Sequence, residues 1–203
     1  MEFRKKKQKK VEPSSPNRNE EGDAWIYTSL KRNSYFLISF SVGKWTQATC
    51  EKMIKQLFDR MELPSPDNKI EIFTDGNDDY TYILPKYFAS TCVDYGQLVK
   101  IREKGRVVEK LKRAIYGQPV LDDIETTDVE NYNGILRERV GRLVRKTKCF
   151  SKRKNRLEGV LHIFQFYWNF MNNFRRYQSP AMIEGIAKKQ WTWKDFLSYS
   201  FAV

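Results

Sequence analysis

The tightest constraint on this chain is where its hydrophobic periodicity changes. From Trp25 to Val42 the residues are rich in Tyr, Ile, Phe and Ser, with KRNS in the middle. This predicts two strands joined by a tight turn around Lys31–Ser34. Thr46 can cap the segment TQATCEKMIKQLFDRM, where Cys50, Met53, Ile54, Leu57, Phe58 and Met61 recur at helical spacing. LPSPDN reads as a loop and Ile70–Phe73 as a short strand. A helix is expected after the Asp75–Gly76 turn, through Tyr80–Leu84. Strand, strand, helix, strand, helix is the order of a mixed α/β layer.

Beyond it, Val107–Ile115 fits strand or helix equally, and the whole region from Val93 to Thr127 is poorly legible. The segment TDVENYNGILRERVGRLVRK is a helix by pattern. Val129, Tyr132, Leu136, Val140 and Leu143 form one apolar stripe, and Arg137, Arg142 and Arg145 lie off it. Leu157–Phe174 reads as a second, strongly apolar helix. Ser179–Pro180 has the form of an N-cap with proline at the first helical position, and Thr192 and Asp195 flank a short last helix. The expected organisation is a basic loop over 1–22, an α/β domain over 23–176 and a helical segment over 177–203. A chain of 203 residues can bury one real core.

The formal net charge of +12 favours a polyanionic partner such as nucleic acid. Cys50, Cys92 and Cys149 are isolated, which excludes a zinc ribbon and suits a reducing cytoplasm. The charged N-terminus is not followed by an apolar run, so no signal peptide is read there. Val160–Phe174 is too short to span a bilayer and carries His162, Gln165, Asn169 and Asn172; no membrane partner is expected. His162 is the only histidine and reads as structural or partly exposed. No P-loop, dinucleotide fingerprint or nucleophile triad is present.

Two carboxylates stand out. Asp75 lies where a strand meets a turn, and Glu130 lies in the first turn of a basic helix. A strand end and a helix start can meet over a sheet edge, and carboxylates held together there suit magnesium. Both also have plain explanations. Asp-Gly is a common turn pair, and Thr127-x-x-Glu130 has the spacing of a capping box.

Several ordered blocks carry a family likeness. GDAWIYTSLKRNSYFLISFSVGKWT, IFTDGNDDY, VDYGQLVKI, VENYNGILRERVGRLVRKTKCFSK and NFMNNFRRYQSPAMIEGI resemble successive blocks of the insertion-sequence-one family of DDE transposases. The resemblance runs from Gly22 to about Tyr199. It implies an RNase H-like mixed sheet flanked by helices, and metal-dependent cutting and joining of transposon DNA. Asp75 would match the family's second catalytic acid and Glu130 its third, with Mg2+ or Mn2+ as cofactor. Asn133 and Arg137 match positions beside the glutamate, and Arg142 and Arg145 would join them in binding DNA. Transposon ends and target DNA would be the partners, a homo-oligomer the working form, and the nucleoid in the cytoplasm the location.

The chain departs from the family at its start. MEFRKKKQKK resembles the tail of the block that carries the first catalytic aspartate, and that aspartate would fall just before Met1. The first strand is therefore expected to be partly or wholly missing, and the zinc-binding and helix-turn-helix parts of many relatives are absent from this sequence. The leading reading is thus an incomplete transposase domain, the second a non-catalytic DNA-binding remnant able to inhibit a relative, and the third a generic RNase H-like nuclease or resolvase.

Overall fold

The computed structural model describes residues 2–4, 11–14, 16, 22–143 and 154–199. Its strands are β1 (Glu2–Arg4), β2 (Asp23–Leu30), β3 (Leu37–Gly43), β4 (Ile70–Asp75), β5 (Val93–Glu103) and β6 (Arg106–Tyr116). Its helices are α1 (Gln47–Arg60), α2 (Asp79–Tyr87), α3 (Thr127–Arg139), α4 (Lys154–Phe166), α5 (Pro180–Ile183) and α6 (Trp193–Ser198). Among the described residues, no helix is long and apolar enough to cross a membrane.

The fold is α/β, with a mixed three-stranded sheet flanked by helices. β4 runs parallel to β5, from Ile70 opposite Val93 to Asp75 opposite Leu98, and β5 runs antiparallel to β6. β1, β2 and β3 form a second, antiparallel sheet. The strands are thus divided between two sheets, where the family resemblance implied one central mixed sheet. The reason lies in β1, which pairs only with Asp23, Ala24 and Trp25. Among the described residues, Ile26–Leu30 on that side and the outer edge of β4 pair with no other strand.

Alternation along β2 explains the layers. Ala24 and Ile26 point into a core with Leu37, Phe40 and Val42, closed by Tyr132 and Leu136 of α3 and by Leu157, Leu161 and Trp168. Tyr27 points the other way, to Cys50, Met53, Ile54 and Leu57 of α1, Ile83 and Leu84 of α2, and Val93 and Tyr95 of β5. Period-2 side chains on one strand therefore require helices on both faces. The α1 stripe predicted from sequence supplies four of its members, Cys50, Met53, Ile54 and Leu57, to this second core. Burial pushes the Cys50 thiol up to about 12, so it is a packing residue and not a nucleophile.

The region left open from Val93 to Thr127 is a β-hairpin. Its turn is Lys104–Gly105, both with positive φ (47° and 82°), the conformation of a two-residue type I′ hairpin turn. The α3 helix ends at Arg139 and gives way to a 3-10 turn at Gly141–Leu143, shorter than the sequence pattern suggested. Val140 and Leu143 nonetheless reach the core, since the tighter turn keeps both on the buried side. The apolar helix through Phe174 is α4 followed by a π turn over Tyr167–Met171. Its polar residues face backbone: Asn169 bonds both the N–H and C=O of Leu37 (2.9 Å each), and Gln165 donates to the carbonyls of Leu37 and Ile38 (2.9 and 3.1 Å). His162 is exposed and packs its ring on Phe40 (4.7 Å between centroids), a structural contact as expected. Ser179 caps α5 with Pro180 behind it, and Thr192 and Asp195 form a reciprocal capping box on α6.

Gly96 of β5 is needed for a close approach. A Cβ there would sit 2.5 Å from Cδ1 of Ile124, which is fully buried in the segment leading into α3. Gly96→Val should cost about 1–3 kcal/mol in urea unfolding, because overpacking forces this segment off β5. Adding Ile124→Ala should restore part of that loss. Equal stability of G96V and the parent would show that the approach is not tight.

Candidate functional site

Asp75 is the last residue of β4, and its carboxylate lies on the surface at that end of the sheet. The turn chemistry predicted for it is present. Asp75 Oδ1 accepts from the N–H of Asn77 (3.2 Å), and Asn77 Oδ1 in turn accepts from the N–H of Asp79 at the start of α2 (3.2 Å). Beneath the turn lies a buried polar network. Gln97 Nε2 donates to the Tyr95 hydroxyl (2.8 Å), to Thr81 Oγ1 (3.2 Å) and to the Asn77 carbonyl (3.3 Å), and Tyr95 bonds Thr74 (2.9 Å). Gln97 thus ties β5, the Asp75 turn and α2 into one unit, which fixes where β4 ends.

Glu130 reaches the same neighbourhood from α3. The expected capping box is not formed: Thr126, not Thr127, is the N-cap, and its side chain makes no cap bond. Thr126 Oγ1 donates instead to Glu130 Oε1 (2.6 Å), and Lys100 Nζ of β5 forms an ion pair with the same oxygen. Glu130 is therefore held between Lys100 of β5 and the hydroxyl of its own N-cap residue, Thr126. Lys100 lies two residues past Leu98, the β5 partner of Asp75, which is why it stands by both carboxylates.

The two acids are pushed in opposite directions. Although Asp75 stays exposed, partial loss of water around it raises its pKa; the Asn77 N–H lowers it, the negative charge of Glu130 raises it, and Lys100 lowers it, with a net upward shift. Burial alone would raise Glu130, but the bonds from Lys100 and Thr126 outweigh it and hold its pKa below the usual value. Two interacting carboxyls displaced apart are a recurring feature of functional sites.

The donor set fits a hard divalent cation in kind. Both ligands are carboxylate oxygens, and magnesium is commonly held by one or two carboxylates together with substrate phosphates. The upward shift of Asp75 is also what a nearby cation would relieve. Among the described residues, no group of three or more His, Cys, Asp or Glu is assembled as a metal site. Lys100 is the cation that Glu130 already holds.

The other residues proposed from sequence divide. Asn133 is half-buried on α3, where Thr28 Oγ1 of β2 donates to its Oδ1 (3.4 Å), a supporting contact. Arg137 follows one turn later and is also half-buried. Arg142 is exposed in the 3-10 turn, and Arg145 lies outside the described residues. Sequence reasoning missed Lys100, because its strand lay in the illegible region. It also missed Arg32, which lies near Asp128 and Asp123 (3.8 and 3.9 Å) and over the Phe73 ring (5.7 Å), linking the β2–β3 turn to α3 and β4. Compared with known proteins, the chain matches no family model, no curated protein and no solved structure.

The opposed shifts yield a paired prediction. Asp75 stays exposed, so the fold disfavours its ionised form only weakly, and Asp75→Asn should raise the melting temperature at pH 7 slightly. That gain should vanish at pH 3, where the wild-type carboxyl is protonated. Glu130 has a depressed pKa, so its contribution is full above the unfolded value and lost as pH falls through the folded one. Glu130→Gln should therefore cost up to about 1 kcal/mol at pH 7, the scale of a partly exposed ion pair, and little at pH 3. Thermal melts at the two pH values check both signs, and a destabilising Asp75→Asn at pH 7 would refute the strained-acid description.

Proposed function

We propose that this chain is the catalytic domain of a DNA transposase of the DDE class, with an RNase H-like fold, that acts on phosphodiester bonds with a bound divalent metal ion. The observation that carries the proposal is that β5 brings Glu130, at a helix start, toward Asp75, at a strand end: Lys100, two residues past the register partner of Asp75, holds the Glu130 carboxylate. These are the two positions that resemble the family's second and third acids. The net charge of +12 supplies the field that draws DNA to the site.

Asp75 and Glu130 would hold the ion, which when bound supplies charge stabilisation for a phosphoryl centre and activation of an attacking hydroxyl. The rest of the work belongs to the chain itself. The Gln97 network fixes the β4 end, so the Asp75 oxygen is placed before any ligand arrives. Thr126 and Lys100 orient the Glu130 carboxylate. Lys100 is also a cation beside the acids, placed to meet a phosphate oxygen once Glu130 is engaged elsewhere.

One observation favours a second reading, a non-catalytic DNA-binding protein. Glu130 is already neutralised by Lys100, and among the described residues no group of three or more His, Cys, Asp or Glu is assembled as a metal site. Supercoiled plasmid with Mg2+ or Mn2+ separates the two. The transposase reading expects weak, metal-dependent nicking that is lost in both Asp75→Asn and Glu130→Gln while DNA binding persists. Binding with no nicking by the wild type selects the second reading. Nicking that survives both substitutions would place the chemistry elsewhere or in a contaminant.

A further inference from the structure

We propose that the β5–β6 hairpin is a DNA-binding arm whose tip enters the major groove of B-form duplex DNA. The hairpin runs from Val93 to Tyr116, and its outer half leaves the body of the protein: every residue from Ile101 to Lys110 is exposed. Five residues of strand project about 17 Å. Two strands side by side are a ribbon that the major groove of B-DNA is wide enough to admit. No described element covers either face of this outer half, and a bare two-stranded ribbon is marginal in water without a partner.

Its charge points to the partner. Between Lys100 and Arg113 there are seven Lys or Arg against two Glu, so the ribbon concentrates the positive charge of the chain. The charges are graded along its length. At the base, Lys112 pairs with Glu125 (3.1 Å) and Lys100 with Glu130. Farther out, Lys104 and Arg106 form no ion pair among the described residues, and Arg102 makes only a long contact to the Gly105 carbonyl (3.5 Å). Lys110 stands directly opposite Lys100 at the base, where both bear on Glu130. Lysines on an outer strand also discourage edge pairing, but this protection does not call for cations on both strands and at the turn.

The tip carries shape as well as charge. Val108 is the extra residue of a bulge, since Ile101 pairs with Glu109 and Arg102 with Val107. A bulge sharpens the twist of a ribbon, as following a groove requires. Val107 and Val108 are exposed at 41% and 53%, apolar groups available to contact thymine methyls. The base of the arm joins the candidate site through Lys100, so DNA gripped by the tip would pass the Asp75–Glu130 pair. The inference rests on DNA as the partner in the function proposed above, but not on strand chemistry.

The test compares Arg102→Gln/Lys104→Gln/Arg106→Gln with a control of equal charge loss, Lys52→Gln/Lys55→Gln/Lys188→Gln. Binding to a 30-base-pair duplex is measured across a salt series. The arm variant should bind at least about tenfold more weakly, and the slope of log affinity against log salt should fall by about 2.7, for three lost phosphate contacts. The control should stay within about twofold of wild type. Duplex RNA, with its narrow major groove, should bind more weakly than duplex DNA. If both variants lose affinity equally, only net charge matters and the arm is refuted, as it is if duplex RNA binds as well as DNA. An arm variant that binds like wild type refutes the arm alone, leaving the function above standing or falling on the nicking assay. No binding of DNA by the wild type overturns both.

Discussion

The structure depends on a side-chain amide acting as a strand partner. Asn169, buried in the π turn after α4, takes both the N–H and the C=O of Leu37, the first residue of β3. Next to it Trp168 donates its indole N–H to the Tyr35 carbonyl (2.7 Å), and the Tyr35 hydroxyl bonds Asp128 in the first turn of α3 (2.8 Å). One chain of contacts thus runs from α4, through the β2–β3 turn, to the helix that carries Glu130. Each link is a buried or half-buried polar group that would be costly to leave unpaired, so the links hold the helix start in register with the sheet. The positive φ of Tyr35, at 58°, is the local strain accepted to aim its ring and carbonyl in these directions.

Much of this was legible in the sequence and some was not, for physical reasons that differ by residue. Asp75 was legible because an alternating apolar run that stops at Asp-Gly leaves few conformations open. The β2–β3 pair followed from a run rich in Tyr, Ile and Phe that is split by a turn, and α1 from its helical spacing. The α3 stripe was legible as well, but its end was not: a 3-10 turn keeps Val140 and Leu143 on the buried face, so the pattern continues after the helix has stopped. The β5–β6 hairpin was illegible because its outer half is charged on both strands. No apolar face forms there, so the alternation that reveals strands is absent. Its turn, Lys-Gly, also lacks the Asn-Gly or Asp-Gly pairing that usually announces such hairpins.

The capping box is an instructive miss. Thr127 and Glu130 have the right spacing, yet the helix begins one residue earlier and Glu130 is recruited by Lys100 and Thr126. Local spacing loses here because a lysine thirty residues away in sequence is brought beside the helix by Gly96, which lets the segment before α3 settle against β5. What looks like a local choice about Glu130 is a tertiary one, set by the absence of a single β-carbon.

The same geometry gives Lys100 two competing tasks. It neutralises Glu130 within the site, and it begins the run of cations that extends along the hairpin. Without DNA the ion pair wins, since Glu130 is the nearest anion and Thr126 holds it in place. Phosphates along the arm would change that balance: they offer Lys100 an alternative anion and leave the Glu130 carboxylate uncompensated beside Asp75. Two close carboxylates that have lost their ammonium partner repel each other, and they become better ligands for a divalent cation than either was before. If DNA takes the arm and metal the acids, as proposed, the two would favour each other through one lysine, by electrostatics alone.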